Sequence, residues 1–483
     1  MADNRLAQEV FFAGTHGGEY GEWLQAWQAE RAEGIETLLL DAHNQSLSVW
    51  GLDPDAHRVT QLVWRPPSPD SVWAADPAPS RVGIRETENA EPFIARTWPA
   101  LPWSSGSPVV RGKGVFFYPL GPVRADVAES VEYRLAVMGD EMIHVDLRAG
   151  FKRRHVRTLV VGRYIDEAWP VVTRFTTTSN VHHTLAMALA VEKAWDISVS
   201  PTHTLLRTLF AELERIVSHL GDLAVLAVST GLPLPQMEYL HLKELVLRLN
   251  YRLFGHRYLR DLIVPGGVQL TQWPQKADVT WALNTLATVY RQSSDIASGL
   301  LNTPSFLDRL HGAGVIPAST VAQVRPVGPV GRASGVSFDV RQALPYVAYV
   351  SHPIQPCVET SGDAYARFQV RVRELSVSLS LARILLEEWR DLDTGVQAAR
   401  VLQMLKGPPL YSPGLGIVEA PRGLLVYGLY PHKDSGRIEH LAVATPSMRN
   451  WSAVPEAMAN HNIMQDFPII DASFSLSVSG WDG

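Results

Sequence analysis

Few side chains in this sequence of 483 residues have the types and spacing that chemistry requires. Cys357 is the single cysteine, so the chain alone can supply neither an internal disulfide nor a metal site that needs two thiolates. His182 and His183 stand side by side at the start of a helical pattern, and an imidazole can relay protons near neutral pH. Because adjacent residues point to different faces of a helix, one of the two is expected to be a cap or a packing residue.

Charged residues within otherwise apolar segments form a second group of candidates. Arg332 and Asp339 in GRASGVSFDVR, with Asp363 in SGDAYARF, are predicted to form a buried ion network. Such a network either stabilises the core or conducts protons, and the sequence leaves both readings open. Glu212 and Glu214 are two positions apart on a helical pattern, so their spacing does not give a paired acid and base.

Several common chemistries lack support. The sequence contains neither the GxxxxGK[ST] phosphate loop nor the HExxH zinc motif, and the glycine-rich GTHGGEYGEW does not follow a clear strand. A net charge of -6 gives no general basic footprint, so nucleic acid is not an expected partner. No uncharged apolar run reaches the roughly 18 to 20 residues that span a bilayer. We therefore expect a soluble, cytoplasmic chain.

The patterns that must position these residues predict an α+β protein with two folded regions. Residues 1–66 mix a helical pattern, GEWLQAWQAERAEG, with the β runs ETLLLDA, LSVWGL and RVTQLVW, which indicates a small α+β domain. Residues 67–113 are rich in Pro, Ser and Ala and are predicted to form an irregular linker or docking arm without central strands.

Residues 114–483 are predicted to form the large domain, a helical-bundle core flanked by strands. A hairpin is expected around Gly139 and Asp140, and Ser200 and Pro201 have the types expected at the start of a long buried helix. Further helices are predicted at about 184–195, 234–254, 277–301 and 362–391, with turns at LPLP, VPGGV and GPVGRASG. Strand-like alternation returns at the carboxyl end, where we expect pairing with the first strands into one sheet.

Seven segments, in order, carry a resemblance to known proteins: GDEMIHVDLRAGFKRRHV, ALAVEKAWDISVSP, LLRTLFAELERIVSHLGDLA, RYLRDLIVPGGV, PVGRASGVSFDVRQALPY, GDAYARFQVRVREL and EAPRGLLVYGLY. They resemble the large subunits of energy-converting (group 4) nickel-iron hydrogenases and the 49-kDa-type subunit of respiratory complex I. The amino-terminal region resembles the 30-kDa-type subunit, which hydrogenase-4 and formate hydrogenlyase large subunits carry as a fused domain. The resemblance implies a hydrogenase large-subunit-like fold.

The same resemblance locates lost metal ligands. Thr176 and Ser179 stand where the hydrogenases have the first cysteine pair, and Ser477 and Gly480 stand where they have the second. Nickel and iron in this site require thiolates, which neutral hydroxyl groups do not replace. We therefore expect no metal and no cofactor in this chain, and hydrogenase activity is not expected. The carboxyl end, without the tail cleaved in many hydrogenases, resembles that of complex I.

The quinone ligands of complex I are also replaced. A histidine that follows a G-P-x motif in that family corresponds to Arg124, and a tyrosine that follows the first cysteine position corresponds to Thr177. The pattern is closest to hydrogenase-related complexes whose large subunits have lost the nickel ligands.

Three further candidates depend on the resemblance. Arg422 matches an arginine that overhangs the metal pocket, and its alternative is a structural pair with Glu419 or Asp339. His183 matches a family histidine and is favoured over His182 as the proton relay. His219 matches a histidine near the iron–sulfur cluster of the partner subunit, and its alternative is a core histidine. The candidate pocket or relay thus comprises His183, Arg422, Asp339, Asp363, Arg332 and Arg124.

The resemblance implies a large subunit of a membrane-associated, complex I-like oxidoreductase that couples electron transfer or ligand binding to proton or sodium translocation. The expected partners are a small subunit with a [4Fe–4S] cluster, antiporter-like and anchor subunits of a membrane arm, and a dehydrogenase module. Through them the chain would lie on the inner face of the cell membrane. The alternatives are a non-redox structural adaptor and a quinone reductase with altered ligands.

Overall fold

The structure is a computed structural model that describes residues 112–123, 130–149, 151–152, 154–270, 274–391, 405–410 and 414–481, together with the backbone of five amino-terminal strands. Arg124 and the predicted helix GEWLQAWQAERAEG lie outside the described residues. Among these residues no helix has the length and hydropathy needed to cross a membrane.

The amino-terminal strands form one antiparallel sheet in the order β1-β5-β4-β3-β2. They are β1 (Glu9–Phe12), β2 (Thr37–His43), β3 (Ser46–Asp53), β4 (Arg58–Trp64) and β5 (Ser80–Thr87). Strand β5 lies inside the segment predicted to lack central strands, yet it pairs on both sides. Its residues, SRVGIRET, alternate in polarity and contain no proline, so the prolines around them hid a local strand signal. The division into three regions stays a prediction.

Two further antiparallel sheets of three strands belong to the large domain. The first contains β6 (Val115–Leu120), β7 (Glu132–Met138) and β8 (Glu141–Arg148), with the predicted turn at Gly139, whose φ of 67° suits glycine. The second contains β11 (Gly414–Ala420), β12 (Gly423–Pro431) and β13 (Ile438–Ala444). The prediction that both ends pair into one sheet was wrong. Alternating polarity reveals strands but not their partners.

Helices make up the core of the large domain. In chain order they are α1 (Val156–Val160), α2 (Ile165–Val172), α3 (Asn180–Trp195), α4 (Pro201–Ser229), α5 (Pro233–Phe254), α6 (Lys276–Leu301), α7 (Pro304–Leu310), α8 (Ala318–Val324), α9 (Gly328–Ala333), α10 (Val340–Ala343), α11 (Ala364–Asp391), α12 (Pro446–Asn450), α13 (Val454–Ala459) and α14 (Phe467–Phe474). Between α5 and α6, the strands β9 (Ile263–Val264) and β10 (Gly267–Val268) form a short hairpin.

The long helix α4 is the centre of the bundle. It begins as predicted, with Pro201 in the first turn and the Ser200 hydroxyl accepting a hydrogen bond from the His203 amide at 3.4 Å. It packs against α5 and α11, and α6 packs against the same two helices. Most of α4 is buried, including charged residues that one side of the helix presents to the core. The predicted helical-bundle core is confirmed.

Two predicted turns differ. In LPLP, the helix α5 already begins at Pro233. GPVGRASG contains helix α9, six residues long, which places Arg332 inside the protein. Its Gly328 has a φ of 65° and lies against the backbone of Arg422 and Gly423, so this short helix touches the β11–β12 hairpin without room for a side chain. The glycines and the proline that signal a turn here instead permit a close contact between backbones.

Candidate functional site

The first pair of positions that the resemblance assigns to hydrogenase cysteines lies in the loop between α2 and α3. Thr176 and Ser179 are both buried, and the Thr176 hydroxyl accepts a hydrogen bond from the Ser179 amide at 3.1 Å. Thr177 and Thr178, between them, are exposed. The loop therefore closes on itself through a hydroxyl group.

A carboxylate from α4 holds the start of the next helix, α3. Glu214 accepts hydrogen bonds from the amides of Val181 at 2.8 Å and His182 at 3.0 Å, and from the Asn180 side chain at 3.0 Å. A negative group bound to free amides at a helix amino terminus stabilises that end. Glu214 thus fixes the position of the loop that carries Thr176 and Ser179.

The second pair of positions lies near the carboxyl end and is also connected through hydroxyl groups. Ser477 Oγ lies 2.9 Å from Ser479 Oγ, and the Ser477 amide donates to Ser447 Oγ at 3.1 Å. The Gly480 carbonyl accepts a hydrogen bond from the Thr445 hydroxyl. A network of neutral hydroxyls fills the place where the resemblance would put thiolates.

Arg422 contacts both of the loops that carry these two pairs of positions. It lies in the turn between β11 and β12, and its Nε donates to the Ser475 carbonyl at 2.5 Å while Nη1 lies 3.2 Å from Thr178 Oγ1. Its other guanidinium contacts are Ser218 Oγ at 3.4 Å and Asp222 Oδ1 at 3.4 Å, both on α4. One guanidinium therefore joins the two loops in which the metal ligands would stand. The predicted alternative partners, Glu419 and Asp339, are not its partners.

The donor set of this place does not fit a nickel-iron centre. It offers three hydroxyl-bearing side chains and a glycine, while Cys357, half-buried, is the only thiol of the chain. Burial and the charge of Glu374 raise the pKa of that thiol. In the part of the chain that the structure describes, no group of three or more His, Cys, Asp or Glu side chains is arranged to hold a metal ion. The expectation that this chain binds no cofactor stays a prediction.

Behind Arg422 lies a continuous set of buried charged side chains, which we call the charge network. Its members on α4 share one face of the helix, at spacings of three, four and three residues. They meet charged groups from α10, α11 and the β11–β12 hairpin, and the network continues through Glu374 to Arg332 on α9. The network comprises Glu212, Arg215, His219 and Asp222 on α4, Arg332, Asp339, Arg341, Arg371, Glu374, Glu419 and Arg422.

Arg332 is the centre of the network. Its Nε donates to Glu374 at 2.7 Å, and its Nη1 lies 2.7 Å from Glu419 and 3.2 Å from Asp339. The predicted ion pair between Arg332 and Asp339 is therefore present. Arg341 continues the network, because it contacts Asp339 at 2.7 Å and Glu212 at 3.3 Å. Removing one member of such a cluster would leave charge without compensation in the core.

Neighbouring guanidinium groups keep most of these carboxyl groups ionised. Burial opposes ionisation of Glu212, but Arg215 and Arg341 outweigh it and lower its pKa to about 2. Arg332 likewise holds the pKa of the buried Glu374 below its usual range, and Arg422 does the same for Asp222. Glu419 is the exception, because burial and the charge of Asp339 together raise its pKa to about 7.

The two adjacent histidines have different surroundings, as predicted from helix geometry. His183 stacks on Phe175 and its Nδ1 lies 2.7 Å from the Tyr427 hydroxyl, and burial lowers its pKa to about 3. His182 is the one that reaches charged groups: Nδ1 lies 2.6 Å from Glu214 and Nε2 lies 3.4 Å from Arg215. His183 thus packs between two aromatic side chains, and its predicted role as a proton relay stays a prediction.

His219 and Asp363 also have defined partners. His219 Nε2 lies 3.0 Å from Glu374, and burial lowers the pKa of the imidazole despite that carboxylate. Its proximity to a partner's cluster stays a prediction. Asp363 does not join the charge network. It accepts hydrogen bonds from the amides of Gly312 at 3.0 Å and Ala366 at 2.8 Å, so it caps the start of α11.

The sequence interpretation missed five members of the network, Arg215, Asp222, Arg341, Arg371 and Glu374. A signal was present in α11, where Arg367, Arg371 and Glu374 follow at steps of four and three and share a face with the buried Ser378 and Ala382. Charged side chains in register with apolar ones indicate a buried ionic stripe. The same pattern occurs in α4.

Comparisons with known proteins agree with this architecture. Residues 231–408 match the family described as "Respiratory-chain NADH dehydrogenase, 49 Kd subunit". The chain is 28% identical over 363 residues to the "Carbon monoxide-induced hydrogenase" of Rhodospirillum rubrum, covering 75% of this chain and 97% of that protein. It is 26% identical to "Formate hydrogenlyase subunit 5" of Escherichia coli (strain K12), covering 74% of this chain and 61% of the relative. It is also 26% identical to an NADH-quinone oxidoreductase subunit of Solibacter usitatus, covering 69% and 88%.

A solved structure has the same fold. A chain from the "membrane-bound sulfane sulfur reductase (MBS), an archaeal respiratory membrane complex" superposes with a TM-score of 0.71 at 21% identity, covering 77% of this chain and 99% of that chain. At this identity the likeness concerns the fold alone. The sequence relatives and the matched family model confirm the resemblance that the seven ordered segments indicated. Residues 231–408 thus carry a domain of the 49-kDa type, and most of the chain is similar to complex I subunits and to the large subunits of related hydrogenases.

Proposed function

We propose that this chain is the large subunit, without a nickel-iron site, of a membrane-associated, complex I-like oxidoreductase. In this proposal, electron transfer in a neighbouring subunit or binding of a ligand beside Arg422 shifts charge, and that shift is coupled to translocation of protons or sodium ions. Relatives named as a hydrogenase, a formate hydrogenlyase subunit and a quinone oxidoreductase subunit support the assembly. A [4Fe–4S] cluster in a small subunit is the proposed electron carrier.

One observation carries the proposal: Arg422 joins the two loops in which the resemblance puts the thiolates, and it connects them to the charge network through Asp222. A cation at this point attracts an anion or a polarised carbonyl group. Because Asp222 is also 3.7 Å from Arg371 on α11, a change of charge beside Arg422 acts on a carboxylate shared with the bundle. The chain's own residues thus provide a charged site and a route for its electrostatic effect.

The polar surroundings of Arg422 favour this proposal over a purely structural adaptor. An adaptor needs no charged group between the loops, and apolar side chains would fill the same space at lower cost. Here Arg422 and Asp222, each about 10% exposed, meet hydroxyl groups of Thr178 and Ser218 instead. The quinone reductase alternative depends on Arg124, which lies outside the described residues, so no structural observation favours it.

Metal analysis of the native complex tests the proposal. The chain should be purified with its partners from its own host, and nickel and iron should be measured per mole of complex. We expect iron from the partner's cluster, no stoichiometric nickel, and no hydrogen-dependent reduction of a viologen dye. Stoichiometric nickel that follows this chain when the complex is taken apart would overturn the proposal. A redox-inactive complex whose cluster is not reduced by any donor would favour the adaptor.

A further inference from the structure

Three carboxylates converge on a single guanidinium in the charge network. Arg332 is fully buried, and Glu374, Glu419 and Asp339 lie 2.7, 2.7 and 3.2 Å from its nitrogens. Each of the three is itself almost completely buried. One positive charge cannot balance three negative charges in an environment with so little water. The other partners of each carboxylate therefore decide which of them can remain ionised.

Two of the three have strong additional partners. Asp339 receives both Nε and Nη2 of Arg341, at 3.0 and 2.7 Å, and the Arg341 amide at 2.9 Å. Glu374 has the Nε of Arg332 to itself and also contacts His219 at 3.0 Å. These hydrogen bonds are charge-assisted or bidentate, and such hydrogen bonds are stronger than those between neutral groups.

Glu419 is the least compensated of the three. Its Oε1 shares Nη1 of Arg332 with Asp339, and its Oε2 accepts only the Val340 amide, at 3.2 Å. Its own backbone engages different groups: the amide donates to the Tyr346 hydroxyl at 3.0 Å, and the carbonyl accepts from Arg215 at 2.5 Å. No guanidinium is therefore dedicated to this carboxyl group among the residues that the structure describes.

The groups that surround Glu419 come from every element packed near it. Charged and titratable side chains act on it directly or through one neighbouring group, and they come from α3, α4, α9, α10, α11 and the segment before the 3₁₀ turn at Val347–Val350. They are His182, Arg215, Arg332, Asp339, Arg341, Tyr346 and Glu374. Burial lowers the pKa of His182, which disfavours a positive charge there. Glu212 pairs with Arg215 and Arg341 and so takes up one of the three guanidinium charges near Glu419. The other two are balanced by Asp339 and Glu374. The remaining negative charge must be carried by Glu419 or neutralised on it.

We propose that Glu419 is an internal proton-binding site, which alternates between the acid and the carboxylate while Asp339 and Glu374 stay ionised. The proton comes from solvent water and occupies one carboxyl oxygen, and no other bond changes. Burial and the neighbouring Asp339 raise the pKa of Glu419 to about 7. This agrees with the contacts, in which Glu419 has fewer positively charged partners than Asp339 or Glu374. This inference concerns the chain itself and does not depend on its partners or on the absence of nickel.

The position of Glu419 gives the proton a consequence for the site. Glu419 is the penultimate residue of strand β11, and Arg422 follows in the turn to β12. A charge change at Glu419 therefore occurs within the same hairpin that carries the guanidinium between the two loops. At the distances within a low-dielectric core, such a change alters the affinity of nearby groups for charge.

Infrared spectroscopy of the purified complex can detect this proton directly. A protonated carboxylic acid has a C=O stretching band that is separate from the amide bands and shifts in heavy water. We expect that band to appear as the pH is lowered through a midpoint of about 7 and to be absent from the Glu419→Gln variant. A wild-type complex without an acid band at neutral or mildly acidic pH would contradict the proposal.

A second variant keeps Glu419 in place and changes the pH midpoint at which its acid band appears. Asp339→Asn removes the competing negative charge but retains a side chain that can cap α10, since Asn and Asp are both good helix caps. Arg332 is then available to Glu419, so the midpoint should fall by about one pH unit, a tenfold lower proton affinity. An unchanged midpoint, or a band that survives in Glu419→Gln, would overturn the proposal. Neither result bears on the nickel measurement.

Discussion

His183 lies between the ring of Phe175 and the Tyr427 hydroxyl, where it packs as a neutral imidazole. Burial lowers its pKa from 6.5 to about 3, so the folded chain does not bind this proton at mildly acidic pH. In the unfolded chain the same imidazole is protonated below about 6.5. The free energy of unfolding should therefore fall as the pH drops from about 6.5 towards 3.

The variant His183→Gln tests this titration. Gln can still bond to the Tyr427 hydroxyl but does not titrate, so we expect a weaker dependence of stability on pH, by about 1.4 kcal/mol per pH unit over this window. Urea denaturation at a series of pH values measures it. The matched control is His461→Gln, because His461 is 91% exposed. Parallel pH dependence in wild type and His183→Gln would show that His183 is protonated in the folded chain.

Arg422 joins two loops that are far apart in the sequence, and its pair with Asp222 contributes to stability. We expect Arg422→Met to cost about 2–3 kcal/mol, less than breaking a fully buried pair because both side chains are about 10% exposed. Asp222→Asn should cost less. Although Arg371 then loses the carboxylate of Asp222, it stays near the negative charge of Glu374.

A double-mutant cycle separates this pair from general damage to the turn. Arg422→Met combined with Asp222→Asn should lose at least about 1 kcal/mol less than the sum of the single variants, as measured by urea unfolding. Additive losses would mean that Arg422 stabilises the fold through Ser475 and Thr178 alone.

For individual residues, the sequence was a better guide to which side chains belong to the candidate site than to which partners they contact. Arg332 and Asp339 do pair, but Arg422 pairs with a residue 200 positions earlier, and Asp363 caps a helix. His182, and not His183, reaches charged groups, because the direction that each imidazole faces depends on how α3 is rotated against α4. The types and spacing of residues constrain local structure. Contacts between residues far apart in the sequence depend on how the helices and strands pack, which cannot be derived from residue types and spacing alone.

Strand β11 touches helix α3 backbone to backbone. Gly414 and Gly416 lie on the side of β11 that faces α3, and a Cβ at either position would collide with the carbonyl oxygens of Ala190 and Ala186. This contact lets the sheet approach the helix that begins beside the Thr176 loop. Glycine here is required by space, because neither residue has a positive φ.

Gly416→Ala should therefore destabilise the chain by about 3 kcal/mol, since well-packed backbones must separate. Gly299→Ala is the matched control. Gly299 lies inside α6 with open space where a Cβ would stand, so alanine should stabilise the helix by about 0.5–1 kcal/mol. Thermal and urea denaturation compare the two. Equal effects of the two substitutions would contradict the close contact of β11 with α3.

At the scale of elements, the long helices were the most predictable part. The predicted helices at 184–195, 234–254, 277–301 and 362–391 correspond to α3 (Asn180–Trp195), α5 (Pro233–Phe254), α6 (Lys276–Leu301) and α11 (Ala364–Asp391). Apolar spacing and proline signal such helices reliably. The pairing of the two ends into one sheet, strand β5 and the short helix α9 were not predicted correctly, because they depend on partners remote in sequence or on glycines that also signal turns.

The whole molecule, as described, has no helix that could span a membrane, while its relatives include a subunit of formate hydrogenlyase and subunits of quinone oxidoreductases. If our proposal is correct, attachment depends on partner subunits. We expect a tagged chain expressed in its own host to sediment with membranes and to be released by mild detergent together with an iron–sulfur protein. The same chain expressed alone should not sediment with protein-free lipid vesicles, and binding to such vesicles would contradict attachment through partners.

The hydroxyl network around Ser477 and Gly480 limits how the chain could be re-engineered. A Cβ at Gly480 would lie 3.1 Å from Ser447 Cβ and 3.3 Å from its Oγ, closer than most such contacts in proteins. Substituting cysteine at positions 176, 179, 477 and 480 would thus crowd Ser447 even without a bound metal. A gain of hydrogenase chemistry would need a compensating change at a residue that is not itself a ligand position. In evolutionary terms, a cysteine at position 480 would be epistatic on Ser447.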